Sequence, residues 1–470
     1  MFLKAGAVSL ALLVASRLLG LVRESAQAAA FGATGLADVA VLMLALPDWL
    51  AGVVASGALA YVLLPAWARE PAQVGALQRR VAVALLTLGA LLAALLVAAR
   101  GPALDLLAAG LGEALRPAGA QALVFSAVAV PMALLAALWT TRLQHEGEFV
   151  GMYAANLVVN AALVAALLAV AGTQSVASLG VGLLAAMMLR LAWLGWKLRG
   201  AERGPASVTG PRVSAWVWAA LAAGLPLALP FAARSIASRE GEGALATFNY
   251  AWKLVELPLM LAIQLVATLA FPAIARAVAA GEGTAAIRNG FALAWTLACA
   301  AAGGLLLGAP VVAQLLFGWG RMQPEALLQV GQWGRIGAWG LLPQACIAVG
   351  VTVLAAHGRM APVVAAYAAG LAVLLAAGVT DGAQLMMLLN GVLLGVAAVV
   401  VAALGKEGRR SLPWGTFAAA GVGLLACELL SRLVWLPQAA GQLVLAVAAG
   451  CAVLGATAWA SPELRAALRR

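Results

Sequence analysis

Arg17 and Arg23 stand in the run Ser16-Arg17-Leu18-Leu19-Gly20-Leu21-Val22-Arg23-Glu24-Ser25, inside a first segment that is otherwise almost uniformly apolar. Burying an arginine at mid-bilayer costs about 2.5–3.5 kcal/mol on insertion scales, so an intramembrane cation faces a polar cavity, a counterion or a ligand. The chemistry on offer is anion binding, and an anionic transported ligand is the first expectation. From a helix start near residue 5, a rise of about 1.5 Å per residue puts Arg17 roughly 18 Å deep and Arg23 roughly 27 Å deep, near the far face. Arg17 is the more costly of the two. Arg17 and Glu24, seven residues apart, share one helix stripe, whereas Arg23 lies about 120° from Arg17.

Further along, Lys253 is followed by Glu256 three residues on and by Pro258, and Arg234 closes another apolar segment. Arg17, Arg23, Lys253 and Arg234 are the substrate-binding candidates. Glu24, Asp38 and Glu256 are carboxylates within apolar spans; each is costly unless it pairs or binds a cation, which makes them candidates for salt bridges or for coupling to protons or sodium. A plainer assignment stands beside this one. In it Arg17 locks onto Glu24 or Asp38, Arg23 and Arg234 extend to the outer headgroups, Arg190 extends to the inner ones, and Lys253 pairs with Glu256 on its own helix.

The elements that must position these residues follow from composition. The 470 residues are 64% hydrophobic and 10% charged, with a mean hydropathy of +1.01, far above the apolar share of about 45–50% usual in soluble domains. Apolar segments long enough to cross a hydrocarbon core of about 30 Å recur along the whole chain. The expected fold is all-α and polytopic, with spans at 5–30, 38–64, 81–99, 121–141, 149–171, 178–196, 214–237, 245–271, 289–309, 333–355, 361–379, 383–404, 413–434 and 440–460, fourteen in all. The first is expected to be a retained helix rather than a signal peptide, since its apolar run continues past signal length and holds two arginines. Most of the 29 Lys and Arg residues fall on the side of the amino terminus, which places both termini in the cytoplasm under the positive-inside rule.

The net charge of +11 is therefore a topology signal set against the anionic inner leaflet, and no nucleic-acid partner is expected. Cys299, Cys346, Cys427 and Cys451 are scattered singly, without disulfide or zinc spacing, and are expected to pack. His145 and His357 lack ligand-spaced companions, so no metal site is expected. The tryptophans at span ends, among them Trp49, Trp67, Trp139, Trp196 and Trp414, form the expected interfacial belt. No phosphate-binding loop of a nucleotide-driven pump is present. The prolines Pro47, Pro131, Pro226, Pro230, Pro258, Pro272 and Pro343 predict broken helices around a cavity.

An internal repeat organises these spans. A shift of 211 residues brings Arg23 onto Arg234, Ala26 onto Ala237, Gly32 onto Gly243, Asp38 onto Asn249 and Leu46-Pro47 onto Leu257-Pro258. Pro65-Ala66-Trp67-Ala68-Arg69 is echoed by Pro272-Ala273-Ile274-Ala275-Arg276 at an offset of 207, one helical turn less. The matched helices are six apart in chain order, so the halves share one orientation, the parallel-repeat arrangement of some transporters. The expected division is an amino-terminal six-helix lobe over 1–205, a carboxy-terminal six-helix lobe over 206–405 around a central cavity, and 406–470 with two extra helices and a basic tail.

At Ser16-Arg17 through Glu24, then Phe31-Gly32-Ala33, Ala37-Asp38 and Leu46-Pro47, the chain resembles the MurJ (MviN) lipid II flippases of the multidrug/oligosaccharidyl-lipid/polysaccharide exporter superfamily. Arg234-Ser235-Ile236-Ala237-Ser238, Asn249-Tyr250-Ala251-Trp252-Lys253-Leu254-Val255-Glu256-Leu257-Pro258 and Phe271-Pro272 look like that family's seventh and eighth helices. The resemblance implies a flippase, not an enzyme, that moves an undecaprenyl-pyrophosphate-linked sugar for peptidoglycan synthesis across the bacterial inner membrane by alternating access. Under it Arg17, Arg23 and Lys253 hold the pyrophosphate and polar head, and the last two helices form a groove for the polyprenyl tail. No cofactor is implied; sodium, protons or the membrane potential would drive the cycle.

The chain also departs from the family pattern. Ala51-Gly52 and Ser56-Gly57-Ala58 stand where members usually carry an arginine and a Glu-Gly-Ala, and Lys253 replaces an arginine, keeping charge but losing the fork that fits phosphate oxygens. The eleventh helix lacks the Asn or Asp that some members use for sodium. These changes keep open a flippase for an O-antigen or exopolysaccharide precursor. A cation-extruding multidrug antiporter would want an acidic cavity, and a membrane glycosyltransferase would want carboxylates on a sizeable outer loop; the intramembrane charges lean basic and the outer loops are short.

Overall fold

A computed structural model describes residues 2–53, 58–199, 211–263, 274, 283–433 and 438–468. Among these the chain is helical throughout, without strands. The first helices are α1 (Phe2–Phe31), α2 (Gly35–Ala51), α3 (Ala58–Arg69), α4 (Val74–Ala98), α5 (Arg100–Leu107), α6 (Arg116–His145), α7 (Phe149–Val170), α8 (Val176–Lys197), α9 (Val213–Ala237) and α10 (Ala244–Pro258). After them come α11 (Gly283–Phe317), α12 (Pro324–Gly337), α13 (Leu341–Ala356), α14 (Ala361–Ala376), α15 (Gly382–Ala403), α16 (Gly405–Arg410), α17 (Trp414–Leu433), α18 (Ala439–Ala460) and α19 (Pro462–Leu468). Helix is the form in which an apolar segment satisfies its own backbone in lipid.

Among the described residues ten helices are long and apolar enough to cross a membrane, and Ala58–Arg69 and Ala361–Ala376 are shorter apolar helices. The expected count of fourteen is not established by length and composition. The second expected span, 38–64, is described as Gly35–Ala51 and Ala58–Arg69, with 54–57 outside the described residues. After Pro47, α2 runs into a π turn at Gly52–Val53. Its repeat mate behaves alike: α10 ends at Pro258 and passes into a π-helix over Leu259–Ile263. Proline removes an amide and crowds the carbonyl four residues back, and a widened turn is one way a helix accommodates both. Pro131, Pro226 and Pro230, by contrast, sit within continuous helices. Pro272, Ala273, Ala275 and Arg276 of the second echo lie outside the described residues.

The chain divides into two compact units, residues 1–246 with 319–323, and residues 247–318 with 324–470. In the first, Leu59, Leu63 and Trp67 of α3 join Leu77, Val81 and Leu85 of α4 and Val130, Leu134 and Leu138 of α6 in one core cluster. Trp67 is only 1% exposed and packs inside this core, whereas Trp196 and Trp414 are 52% and 65% exposed. The α9 helix also packs in this unit, with Ala219 against Ala58 and Val62 and Phe231 stacked on Trp49 at 4.3 Å. In the second unit Trp295 of α11 lies 4.7 Å from Phe417 of α17, and Thr416 and Ser461 share a buried hydroxyl hydrogen bond of 2.6 Å. Cys299, Cys346, Cys427 and Cys451 are free thiols.

Side-chain oxygens cap several helices. Thr34 accepts from the Ala37 amide at α2, Ser175 from Ser178 at α8 and Asp381 from Gln384 at α15. The α10 amino terminus is reached by the turn Gly241-Glu242-Gly243, in which Gly243 has φ +84° and an added Cβ would stand 2.2 Å from the Ala33 carbonyl oxygen. Gly243→Ala is expected to lower the melting temperature through both left-handed strain, roughly 1–2 kcal/mol, and this clash. Gly378→Ala, at φ +64° with nothing within 4 Å, carries the strain alone. Equal melting of the two purified variants would rule out the contribution of the close backbone approach.

Candidate functional site

A charged cluster in the first unit draws its residues from α1, α2, α7 and α8. Arg23 donates from Nη2 to Glu24 Oε1 at 2.8 Å and from Nη1 to Asp48 Oδ2 at 3.2 Å. The Arg23 and Glu24 side chains are 15% and 7% exposed and that of Asp48 is 44% exposed, so the guanidinium sits between one buried and one open carboxylate. An arginine held in this way is compensated: removing either acid exposes a charge, and the pair is geometrically fixed. Asp48 follows Pro47, and it also lies within electrostatic reach of Arg190 on α8. Arg190 donates from Nη2 to the Asn156 amide oxygen on α7 at 3.0 Å. One edge of its guanidinium is therefore engaged inside the unit.

Arg17 differs from Arg23. It is exposed beside buried Ser16, and among the described residues it has neither an ion pair nor a hydrogen bond. The pairing of Arg17 with Glu24 or Asp38, one of the two sequence readings, is not made: Glu24 is taken by Arg23, and Asp38 is used elsewhere. Asp38, 2% exposed, accepts from the Gly243 amide at 2.7 Å and from the Ala246 amide at 2.8 Å. Among the described residues it forms no salt bridge. It caps α10 from another helix, supplying acceptors to the orphan amides of a first turn, as a local Ser, Thr or Asp would.

In the second unit Lys253 Nζ meets Glu256 Oε2 at 2.6 Å, three residues apart on α10, with side chains 21% and 25% exposed. Arg234 lies in the last turn of α9, partly buried. The structure thus brings together Arg23 with Glu24, and Lys253 with Glu256; Arg17, Asp38 and Arg234 each stand in other surroundings. Asp48 and Asn156 were not legible as members of the constellation. A carboxylate one residue after an intramembrane proline is a usable signal for Asp48, since it too needs a partner there. For Asp38 the signal is the absence of a capping side chain in Gly241-Glu242-Gly243 before α10.

A cavity of about 400 Å³ in the first unit is lined by Phe31, Thr34, Gln174, Glu242 and Arg321, among others. Arg321 there donates to Gln174 Oε1 at 3.2 Å. None of the sequence-predicted site residues lines it. Among the described residues no group of three His, Cys, Asp or Glu side chains converges as metal ligands.

The family model described as lipid II flippase MurJ matches residues 27–407, a stretch that begins just after Arg17, Arg23 and Glu24. In fold, the chain is similar to a lipid II flippase MurJ in its inward closed conformation, with a TM-score of 0.81, 12% identity and coverage of 95% of this chain and 97% of that one. It is also similar to an inward-facing multidrug resistance MATE family transporter of the MOP superfamily, with a TM-score of 0.64, 13% identity and coverage of 90% and 99%. A MOP superfamily transporter from Pyrococcus furiosus gives a TM-score of 0.59 at 15% identity, covering 90% of this chain and 96% of that one. A search of the curated proteins by sequence returned no match. At these identities the structural likeness speaks for the fold.

Proposed function

Because the chain belongs to the MurJ lipid II flippase family, a family of multi-pass membrane transporters, we propose that it carries a lipid II-like, polyprenyl-pyrophosphate-linked sugar from the inner to the outer leaflet of the bacterial inner membrane by alternating access. The observation that carries this reading is the family match over residues 27–407. The intramembrane cations supply the chemistry it needs, because a pyrophosphate crossing a bilayer must be met by fixed positive charge in place of water. Arg17, Arg23, Lys253 and Arg234 are the residues assigned to the pyrophosphate and polar head. Arg23 and Lys253 would do so from within ion pairs, exchanging part of a carboxylate contact for a phosphoryl oxygen.

The proposal keeps both termini in the cytoplasm and the repeat division at 1–205, 206–405 and 406–470. It calls for no cofactor; a sodium or proton gradient or the membrane potential drives the cycle. A second reading, a flippase for an O-antigen or exopolysaccharide precursor, is favoured by one set of observations: Ala51-Gly52, Ser56-Gly57-Ala58 and Lys253 at motif positions. Reconstitution in proteoliposomes with defined polyprenyl-pyrophosphate sugars separates the two. Lipid II is expected to become accessible at the opposite leaflet faster than an O-antigen unit on the same lipid; the reverse order would transfer the assignment to the second reading, and no movement of either would overturn both.

A further inference from the structure

The interface level of α8 is marked by its own end. Lys197 Nζ pairs with Glu148 at 3.0 Å and lies 5.6 Å from the Trp193 ring centroid and 5.3 Å from that of Trp196. Arg190 lies seven residues further in, about 10 Å along the helix axis, on the apolar side of that aromatic layer. A charge placed there needs compensation, and what Arg190 receives is slight. One donor goes to the neutral Asn156 amide. Its Nε is shut off from solvent and has no hydrogen-bond partner. The carboxylate within electrostatic reach, Asp48, already holds Arg23 at 3.2 Å, and Glu24 holds Arg23 as well. The two carboxylates of this cluster are thus directed at Arg23, and the donor capacity of Arg190 is left over.

We propose that Arg190 is an anion-binding residue of the transport pathway, its guanidinium oriented by Asn156 to take a phosphoryl oxygen of the lipid-linked pyrophosphate. This rests on the reading of the chain as a polyprenyl-pyrophosphate flippase. A planar guanidinium with free donors is the side chain best shaped for such an oxygen. Asn156 is the positioning residue, fixing one Nη so that the remaining edge is presented. With Arg23 and Arg190 set against Glu24 and Asp48, the cluster is close to neutral while empty.

The test uses the full-length purified chain in nanodiscs, with undecaprenyl pyrophosphate as the probe and uncharged undecaprenol as the control. Wild-type protein is expected to bind the pyrophosphate more tightly than the alcohol. Arg190→Ala is expected to weaken pyrophosphate binding by about tenfold or more, the range of a hydrogen bond to a charged group, and to leave undecaprenol binding unchanged. Arg190→Lys should recover part of the loss. Arg190→Gln, which keeps a donor for Asn156 and most of the volume, carries the test where the alanine variant is unstable and is expected to lose as much. If wild type discriminates the two probes but both Arg190 variants do so equally well, the Arg190 assignment falls while the flippase reading stands. If wild type does not discriminate, the flippase reading itself falls. Failure of both variants to fold without ligand makes Arg190 a structural lock and overturns the assignment.

Discussion

Arg17→Ala is expected to reduce transport at least about 100-fold, the loss of a bidentate charge-assisted contact, while membrane abundance and melting temperature stay at the wild-type level. The combination follows from its surroundings. Arg17 is exposed and among the described residues has no counterion, so its removal leaves no orphaned carboxylate and removes a cation that is costly in a bilayer. A residue that served as a lock would show the opposite pattern, with stability falling first. Complementation of a flippase-depleted strain, read together with immunoblots of the membrane fraction and transport in proteoliposomes, checks both halves. Normal growth with Arg17→Ala would remove Arg17 from the substrate path. Arg17→Lys separates charge from shape, and an intermediate rate is expected because lysine keeps the charge and loses the fork.

Asp38→Ala is expected to act through the fold. It deletes two charge-assisted hydrogen bonds, at 2.7 and 2.8 Å, to the amides of Gly243 and Ala246, and strands both donors at a position from which water is excluded. At about 1.5–3 kcal/mol for each bond to a charged group, the loss is roughly 3 kcal/mol or more, visible as a marked drop in melting temperature and in membrane abundance. Asp38→Asn keeps one acceptor oxygen and should recover about half. The alternative role raised by the sequence, ion coupling, makes a different forecast: a transport defect that depends on the driving ion in a protein of normal stability. Thermal unfolding of the two purified variants, alongside transport at several sodium concentrations and pH values, decides between cap and coupling.

Where each helix lies was legible where apolar runs are long and bounded by polar turns. The expected span 149–171 is Phe149–Val170, and 383–404 is Gly382–Ala403, because hydrophobic length is a local property that lipid reads directly. Pro47 and Pro258 marked the helix interruptions and their repeat relation, since proline acts on its own turn. Depth along α1 separated Arg17 from Arg23, but it could not tell which arginine would be paired. That depends on which face of α2 meets α1, and Asp48 lies 25 residues from Arg23. The position of Arg190 near a helix end gave no hint of its partner Asn156, which is 34 residues away on α7. Asp38 was read as a charge in search of a charge. Its partners are backbone amides, which have no letter in a sequence.

The cap on α10 also bears on how the chain is made. Asp38 and the Gly243 amide are 205 residues apart, so at a synthesis rate of about 5–20 residues per second the carboxylate is complete roughly 10–40 s before its helix exists. A charge cannot wait in hydrocarbon for that time without cost. Asp38 stands in the first turn of α2, at the membrane edge, where water can hold it until α10 arrives. Insertion therefore ends with a dehydration step, in which the amides of the later helix replace the water on the earlier acid, and this cap cannot close until synthesis has passed residue 246.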